Sequence, residues 1–137
     1  MIKGIRFNKE ITVAVENKVG ALADISKTLS DSGINLDAVA GYASGNEAKI
    51  MIVADNAQGA QEVLRKSGYK SIKENEIVVV ELENKPGALK YITQALAAEG
   101  LDIKHIYGTA CACASGCPCR LVLSTSDNNK AMACLKK

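Results

Sequence analysis

The chain has few of the residues that mark several large functional classes. Its 137 residues include no Trp, one Phe, four Tyr and a single His. Scarce aromatic side chains disfavour a surface that stacks nucleic-acid bases. The net charge of +2, with Lys and Glu mixed along the chain, lacks the basic footprint of nucleic-acid binding. The sequence therefore predicts no nucleic-acid partner.

Long apolar runs are also missing. No run approaches the roughly 20 residues that a helix needs to cross a bilayer. The segment Met1–Asn8 lacks the apolar centre of a secretory signal. We therefore expect a cytoplasmic protein without a membrane partner. Because that compartment keeps thiols reduced, the five cysteines predict free thiols or metal ligands rather than structural disulfides.

Signatures of catalysis are not found in the sequence. With one His, the chain offers no pairing of a nucleophile with a base. It also has no glycine-rich phosphate loop followed by Lys and Ser or Thr. The sequence therefore predicts a protein that is not an enzyme and requires no cofactor.

One phrase occurs twice in the chain. Residues 16–22, ENKVGAL, return as residues 83–89, ENKPGAL, and the match continues through Ile25 and Leu29 at the same offset. A period of about seventy residues is longer than the roughly 20–50 residues of a solenoid repeat. We therefore predict two copies of a small domain.

Both copies predict the same order of elements. In the first copy, a β-branched strand at 11–15 precedes apolar residues at helical spacing, which end at Gly33. A hairpin at 34–54 follows, then a helix capped by Asn56, and then a strand that begins at Tyr69. This βαββαβ order is the ferredoxin-like plan. The predicted fold class is α+β, with two such units and the helices on one face of each antiparallel sheet.

The second copy lacks a closing strand, and the first has an extra leader. We therefore divide the chain into a first unit at 1–73, with a leader strand at 2–7, and a second unit at 74–137. In the leader, Ile5 and Phe7 alternate with Arg6, as the residues of a half-buried strand do. The leader is predicted to supply the missing strand of the second unit, from the same chain or from a partner chain. A frayed terminus is the alternative.

An apolar strand, then Glu-Asn-Lys-Pro-Gly-Ala-Leu, then Ile and Leu at helical spacing, then Gly-Leu-Asp-Ile resembles the ACT domain. The resemblance covers almost the whole chain as two tandem copies. It implies a stand-alone regulatory module, similar to small bacterial proteins without a catalytic domain. Such modules bind an amino acid or a related metabolite at an interface between ACT units, so the resemblance also implies a homodimer.

The repeated phrase has a physical use of its own. Gly20 and Gly87 have no β-carbon, so the backbone can turn sharply and a ligand can approach closely. The free N–H groups at the start of the following helix suit a carboxylate. Asn17 and Asn84 offer amide groups at the lip of the turn. Pro86 is predicted to occupy the first helical position. The same residues could equally form a turn and cap without any ligand.

The resemblance carries a ligand-binding role onto thirteen residues. They are the residues of the two turns and one residue early in each following strand: Asn17, Lys18, Val19, Gly20, Ala21, Leu22, Asn35, Asn84, Pro86, Gly87, Ala88, Leu89 and Asp102. The first copy departs from the family at Val19, which replaces proline and loosens the turn. The second departs at Asp102, which replaces asparagine and would repel an anionic group. We expect the first turn, together with Asn35, to be the working site.

The second copy carries a cysteine-rich hairpin at 111–119, where the first copy has a plain turn. Alternate residues of a strand share a face, so Cys111 would align with Cys113 and Cys117 with Cys119. Four thiolates together could hold zinc, an iron–sulfur centre or Cu(I). A reversible disulfide and plain hairpin packing are the alternatives. The leading function is thus amino-acid sensing, and the alternative is thiol-dependent metal binding or redox sensing.

Overall fold

A computed structural model of the chain describes residues 1–110 and 118–136. The described residues form six strands and four helices. Their bounds are β1 (Ile2–Glu16), α1 (Ala21–Asp31), β2 (Leu36–Ser44), β3 (Glu47–Ala54), α2 (Ala57–Lys66), β4 (Ile72–Leu82), α3 (Ala88–Ala98), β5 (Ile103–Ala110), β6 (Cys119–Thr125) and α4 (Asn128–Leu135).

The chain divides into two compact units. The first unit is Lys9–Asn75, and the second joins Met1–Asn8 to the chain from Glu76 onward. Each unit combines four antiparallel strands with two helices in the ferredoxin-like order, which confirms the predicted α+β fold class.

In the first unit the strands lie in the order β2–β3–β1–β4. The antiparallel register sets Ile11 of β1 opposite Ile52 of β3, and Leu36 of β2 opposite Ala54. Alternate residues of β1 are fully buried and pack with α1 and α2, so both helices cover one face of the sheet. The buried core consists of Ile11, Val13, Ile25, Leu29, Ile50, Ile52, Ala54, Ala60 and Leu64.

In the second unit the order is β5–β6–β4–β1. This is the order of the first unit, with β5, β6, β4 and β1 in the places of β2, β3, β1 and β4. The register sets Val80 of β4 opposite Leu121 of β6, and Ile106 of β5 opposite Leu123. The buried core consists of Val78, Val80, Leu82, Ala88, Ile92, Leu96, Leu123, Ala131, Met132 and Leu135.

The leader of the chain is the fourth strand of the second unit. Ile2 and Ile5 pack against the core of that unit, and the Met1 carbonyl accepts a hydrogen bond of 2.9 Å from the Glu83 amide. The missing strand therefore comes from within the chain. The observed units differ from the predicted division into 1–73 and 74–137, because Met1–Asn8 belongs to the second unit. Phe7 remains 41% exposed.

Both repeated turns depend on a left-handed glycine. Gly20 and Gly87 have φ of 90°, a conformation that favours glycine, and each directly precedes a helix. The prediction that Pro86 occupies the first helical position is wrong. Because Gly87 stands in the left-handed region, α3 begins only at Ala88, and Pro86 precedes the cap.

The caps of the later helices follow from local chemistry. The Asn56 side chain accepts a 3.0 Å hydrogen bond from the Gly59 amide at the start of α2, as predicted for a cap. In the second copy, Asp127 accepts from the Lys130 amide at 3.0 Å. The two copies therefore start their second helix in the same way, with different residues.

Replacing Ile5 tests the position of the leader. Ile5→Ala removes apolar contacts with the core of the second unit, so we expect the free energy of unfolding to fall by about 1–3 kcal/mol. Lys3→Ala on the same strand is the control, because Lys3 is exposed, and should change it by less than about 0.5 kcal/mol. Urea unfolding of both variants measures the difference. If neither Ile5→Ala nor Lys3→Ala changed the free energy of unfolding, the result would contradict the packing of the leader against the core of the second unit.

A pair of equivalent glycines provides a second test. A β-carbon at Gly108 would overlap the Arg120 carbonyl oxygen and lie 2.5 Å from Leu121 Cδ2, whereas one at Gly41 would lie 3.6 Å from the nearest atom, the Lys49 carbonyl oxygen. We expect Gly108→Ala to cost about 1–3 kcal/mol through overpacking. Gly41→Ala should be close to neutral. Thermal unfolding of the two variants would contradict this account if their melting temperatures were equal.

Candidate functional site

The first repeated turn is fastened to the tip of the β2–β3 hairpin through Asn17. Its side-chain amide donates a 3.1 Å hydrogen bond to the Gly45 carbonyl, and its backbone amide donates one of 2.8 Å to the Asn46 carbonyl. The amide nitrogen that sequence reasoning offered to a ligand therefore already bonds to the protein. Asn17 holds the turn in place.

The start of α1 is open beside this turn. Among the described residues, no side chain caps the helix at Gly20, and no atom beyond its two chain neighbours lies within 4 Å of where a β-carbon on Gly20 would be. Lys18 and Val19 are exposed and Ala21 is half-buried, while Leu22 is 46% exposed. A free helix N-terminus with open space in front of it suits an anionic group such as a carboxylate.

The second turn has the same backbone but different chemistry. Asn84 accepts a hydrogen bond of 3.4 Å from the Cys119 thiol, and Lys85 forms a 3.1 Å ion pair with Glu83. The hydrogen bond from Lys85 holds the pKa of the Glu83 carboxyl below its ordinary value. Ala88 is buried in the core, whereas Pro86 is exposed. The groups of this turn are thus more fully engaged with the protein.

Asn35 and Asp102 lie at the other end of their sheets. The Asn35 amide donates to the Asp55 carboxylate at 3.2 Å, and the Asp55 amide donates to the Asn35 carbonyl at 3.0 Å. Asp102 makes the same double contact with Ser126. Each pair closes the open end of a hairpin.

The structure therefore does not bring Asn17 and Asn35 together within one unit. Asn17 bonds to Gly45, just after the last residue of β2, and Asn35 comes just before its first. The strand between them has nine residues, or roughly 30 Å at about 3.3 Å per residue. A single small ligand cannot contact both side chains of one unit.

Matching apolar side chains are exposed on the two units. Leu22 and Leu89 are 46% and 53% exposed, and Val39 and Ile106 are 48% and 37% exposed. The members of each pair occupy equivalent places in the repeat, and the second pair lies on the outermost strands, β2 and β5. Sequence reasoning missed this surface, although the repeat offset that aligned the turns also aligns Val39 with Ile106.

A cavity of about 370 Å³ adjoins the first turn on the side of α1 and the segment before β4. Its lining includes two residues of the predicted set, Lys18 and Ala21, but also Asp24 and Tyr69. Partial burial, and next the negative charge of Asp24, raise the pKa of the Tyr69 hydroxyl. Sequence reasoning missed this cavity because Tyr69 follows the repeated motif by nearly fifty residues.

The cysteine prediction falls mostly outside the described residues. Cys111, Cys113 and Cys117 lie there, so the structure says nothing of a four-thiol cluster. Cys119 is described, and it is half-buried with a free thiol. Within residues 1–110 and 118–136, no group of three or more His, Cys, Asp or Glu side chains is arranged to hold a metal ion.

The four helices are 8 to 11 residues long. Over the part of the chain that the structure describes, none is both long and apolar enough to span a bilayer.

Solved structures of other proteins share the fold along nearly the whole chain. A protein from Bacteroides thetaiotaomicron is similar at a TM-score of 0.87 and 23% identity, over 96% of this chain and 88% of that one. The regulatory subunit of aspartate kinase from Thermus thermophilus, in its ligand-free form, is similar at a TM-score of 0.68 and 18% identity, over 98% and 94%. At these identities the likeness shows the fold.

A further similar structure is a putative C-terminal regulatory domain of aspartate kinase from Porphyromonas gingivalis. Its TM-score is 0.57 at 18% identity, over 96% of this chain and 93% of that one. No curated protein matches the chain. Among family models, that of the ACT domain matches residues 9–66. The matched residues lie within the first unit. The match to the ACT-domain model thus falls in the first unit, and the second unit has the same ferredoxin-like fold.

Proposed function

We propose that the chain is a non-enzymatic regulatory protein that binds an amino acid or a related metabolite through two tandem ACT units. The ACT match over residues 9–66 supports the regulatory class. The repeat and the shared fold support a second ACT unit after residue 75. The similar structures of a regulatory subunit and a putative regulatory domain of aspartate kinase point in the same direction. The predicted location is the cytoplasm.

The observation that carries this proposal is the open helix start at Gly20. An α-carboxylate placed there would meet free N–H groups and the positive end of the helix dipole. Lys18, exposed on the same turn, adds a positive charge. An amino group on the same ligand then needs an acceptor from elsewhere.

That acceptor comes from another chain. Because Asn17 and Asn35 of one unit lie roughly 30 Å apart, one ligand contacts both kinds of residue only when a second chain contributes. Exposed Val39 and the edge of β2, the outermost strand of the first unit among the described residues, give a surface that a second copy would bury. We therefore place the ligand between first units in a homodimer.

Binding between chains gives a regulatory mechanism. A ligand that contacts both chains in one arrangement, and only one chain in another, favours the first by its difference in affinity. The first unit is the stronger candidate. In the second, Asn84 bonds to Cys119, and Asp102 presents a carboxylate where Asn35 presents a neutral amide.

Thiol-dependent metal binding or redox sensing is the second candidate function. One structural observation favours it, since the Cys119 thiol contacts Asn84 in the second turn. Metal or an oxidant at the predicted hairpin of Cys111, Cys113, Cys117 and Cys119 would change that contact. Zinc and iron analysis of anaerobically purified protein tests this. Metal content unaffected by replacing all four residues with serine would exclude it.

A thermal-unfolding screen against the twenty amino acids tests the first proposal. A ligand present at a hundred times its dissociation constant stabilises the protein by about 2.7 kcal/mol, which raises the melting temperature by several degrees. Asn17→Ala also removes the bond to Gly45, so the quantity to compare is the ligand-induced shift in each variant. We expect that shift to fall in Asn17→Ala.

The matched control is Asn84→Ala, which makes the same change in the second turn and should keep the full ligand-induced shift. Sedimentation with and without the stabilising amino acid then tests the dimer. A ligand-induced shift that survives in Asn17→Ala but not in Asn84→Ala would place the site in the second unit and contradict its assignment to the first. No shift with any amino acid would refute amino-acid binding.

A further inference from the structure

The cavity beside the first turn is built from three parts of the first unit. The end of β1 supplies Glu16, the turn and α1 supply Lys18 and Asp24, and the segment before β4 supplies Tyr69 and Lys70. A hydrogen bond of 3.0 Å from the Ala14 amide to the Ser71 carbonyl joins two of these parts. The cavity of about 370 Å³ falls within the usual range for small-molecule pockets, about 300–1,000 Å³.

Charges of both signs surround this space without neutralising each other. Two carboxylates, Glu16 and Asp24, and two ammonium groups, Lys18 and Lys70, contribute to the lining. Within the described residues, none of the four takes part in an ion pair. Two turns further along α1 the chain does pair its charges, since Asp31 bonds to Lys27. Unpaired groups of both signs on one concave surface match a ligand that carries both signs itself.

Tyr69 adds a polar group to the wall of the cavity. Its ring packs against the core of the first unit and is half-buried, so its position is fixed by packing. Burial and the nearby carboxylate of Asp24 raise the pKa of its hydroxyl, so the hydroxyl stays protonated at neutral pH. The hydroxyl can therefore donate a hydrogen bond to an anionic oxygen of a ligand.

The second unit has a cavity in the corresponding place with different charges. It measures about 360 Å³ and is lined by residues of β1, by Tyr91 and by the end of α4. Tyr91 holds the place in the repeat that Asp24 holds in the first copy. The charged side chains that line it, Lys3 and Lys136, are both cationic. A ligand ammonium group would find a carboxylate in the first cavity and none among the described residues that line the second.

We infer that the cavity of the first unit is a further small-molecule site that binds a zwitterionic α-amino acid. Asp24 and Glu16 receive the ammonium group, and Lys18, Lys70 and the Tyr69 hydroxyl receive the carboxylate. The site lies within one unit and needs neither Asn35 nor a second chain. It shares Lys18 with the site between chains proposed above but depends on Asp24 and Tyr69 instead of Asn17 and Asn35, so each can fail without the other.

Amide chemical shifts of the ¹⁵N-labelled full chain test this inference, with each of the twenty amino acids as the probe. We expect at least one to move the amides of residues 21–24 and 68–71 in the wild-type chain. The N-acetyl derivative of that amino acid, which lacks the ammonium group, should not produce these shifts. The same shifts should persist in Asn17→Ala.

Two variants on α1 form a matched pair for the same titration. Asp24→Asn removes a carboxylate from the cavity, and Asp31→Asn removes one from the exposed pair with Lys27. We expect Asp24→Asn to weaken binding about tenfold, the effect of losing one charge-assisted contact. Asp31→Asn should leave the affinity unchanged. Both positions are exposed, so neither variant should unfold the chain.

Three results would overturn the inference. One is that no amino acid moves the amides of residues 68–71. Another is that Asp24→Asn and Asp31→Asn bind equally well. The third is that the shifts are confined to the region of Asn17 and Asn35 and vanish in Asn17→Ala, which would leave the site between chains standing alone.

Discussion

The structure depends on how the chain shares its first strand between two units. A ferredoxin-like sheet needs a fourth strand beside its first. The pair β1 and β4 fills these two places in both units: β4 is the fourth strand of the first unit, and β1 is the fourth strand of the second. Residues of β1 up to Asn8 serve the second unit, and those from Lys9 onward serve the first. Without the leader, the second unit would expose the edge of β4 and the apolar faces that Ile2 and Ile5 cover. The first unit is a continuous segment of the chain, whereas the second is not.

This scaffold positions the chemistry of both units alike. Each repeated turn follows the end of a first strand, where a left-handed glycine opens a helix N-terminus. Each polar residue at the start of a second strand closes the opposite end of the sheet. The geometry explains why one small ligand cannot contact both kinds of residue within one unit. It also separates that site from the cavity against α1, which one unit forms alone.

Much of the fold was predictable because its signals are local. Helical spacing, glycine stops and the Asn56 cap each depend on residues a few positions apart, and the repeat made each prediction twice. The leader was predicted to complete the second unit, but not whether it would do so within the chain, because alternation of Ile5 with Arg6 shows a strand but not its partner. Pro86 was misplaced because proline suits a first helical position, and the left-handed Gly87 displaced it.

The site was less predictable than the fold. The resemblance to the ACT domain assigned Asn17 and Asn35 to one site, but their separation follows from strand direction and length. The cavity combines Asp24 with Tyr69, which meet only through tertiary packing. Differences between the copies, such as Asp24 against Tyr91, were visible in the sequence. The consequence of such a difference for ligand binding follows only from the structure, in which the two positions line corresponding cavities.

Hydrogen exchange of the backbone amides is the most direct test of the shared strand. The account predicts that those amides of residues 2–8 that bond to β4 exchange with the same opening free energy as those of β6, whose strand belongs to the same unit. It also predicts that amides of residues 11–15 follow β3. Fast exchange throughout residues 2–8, with full protection of β6, would show that the leader does not complete the second unit and would contradict the account.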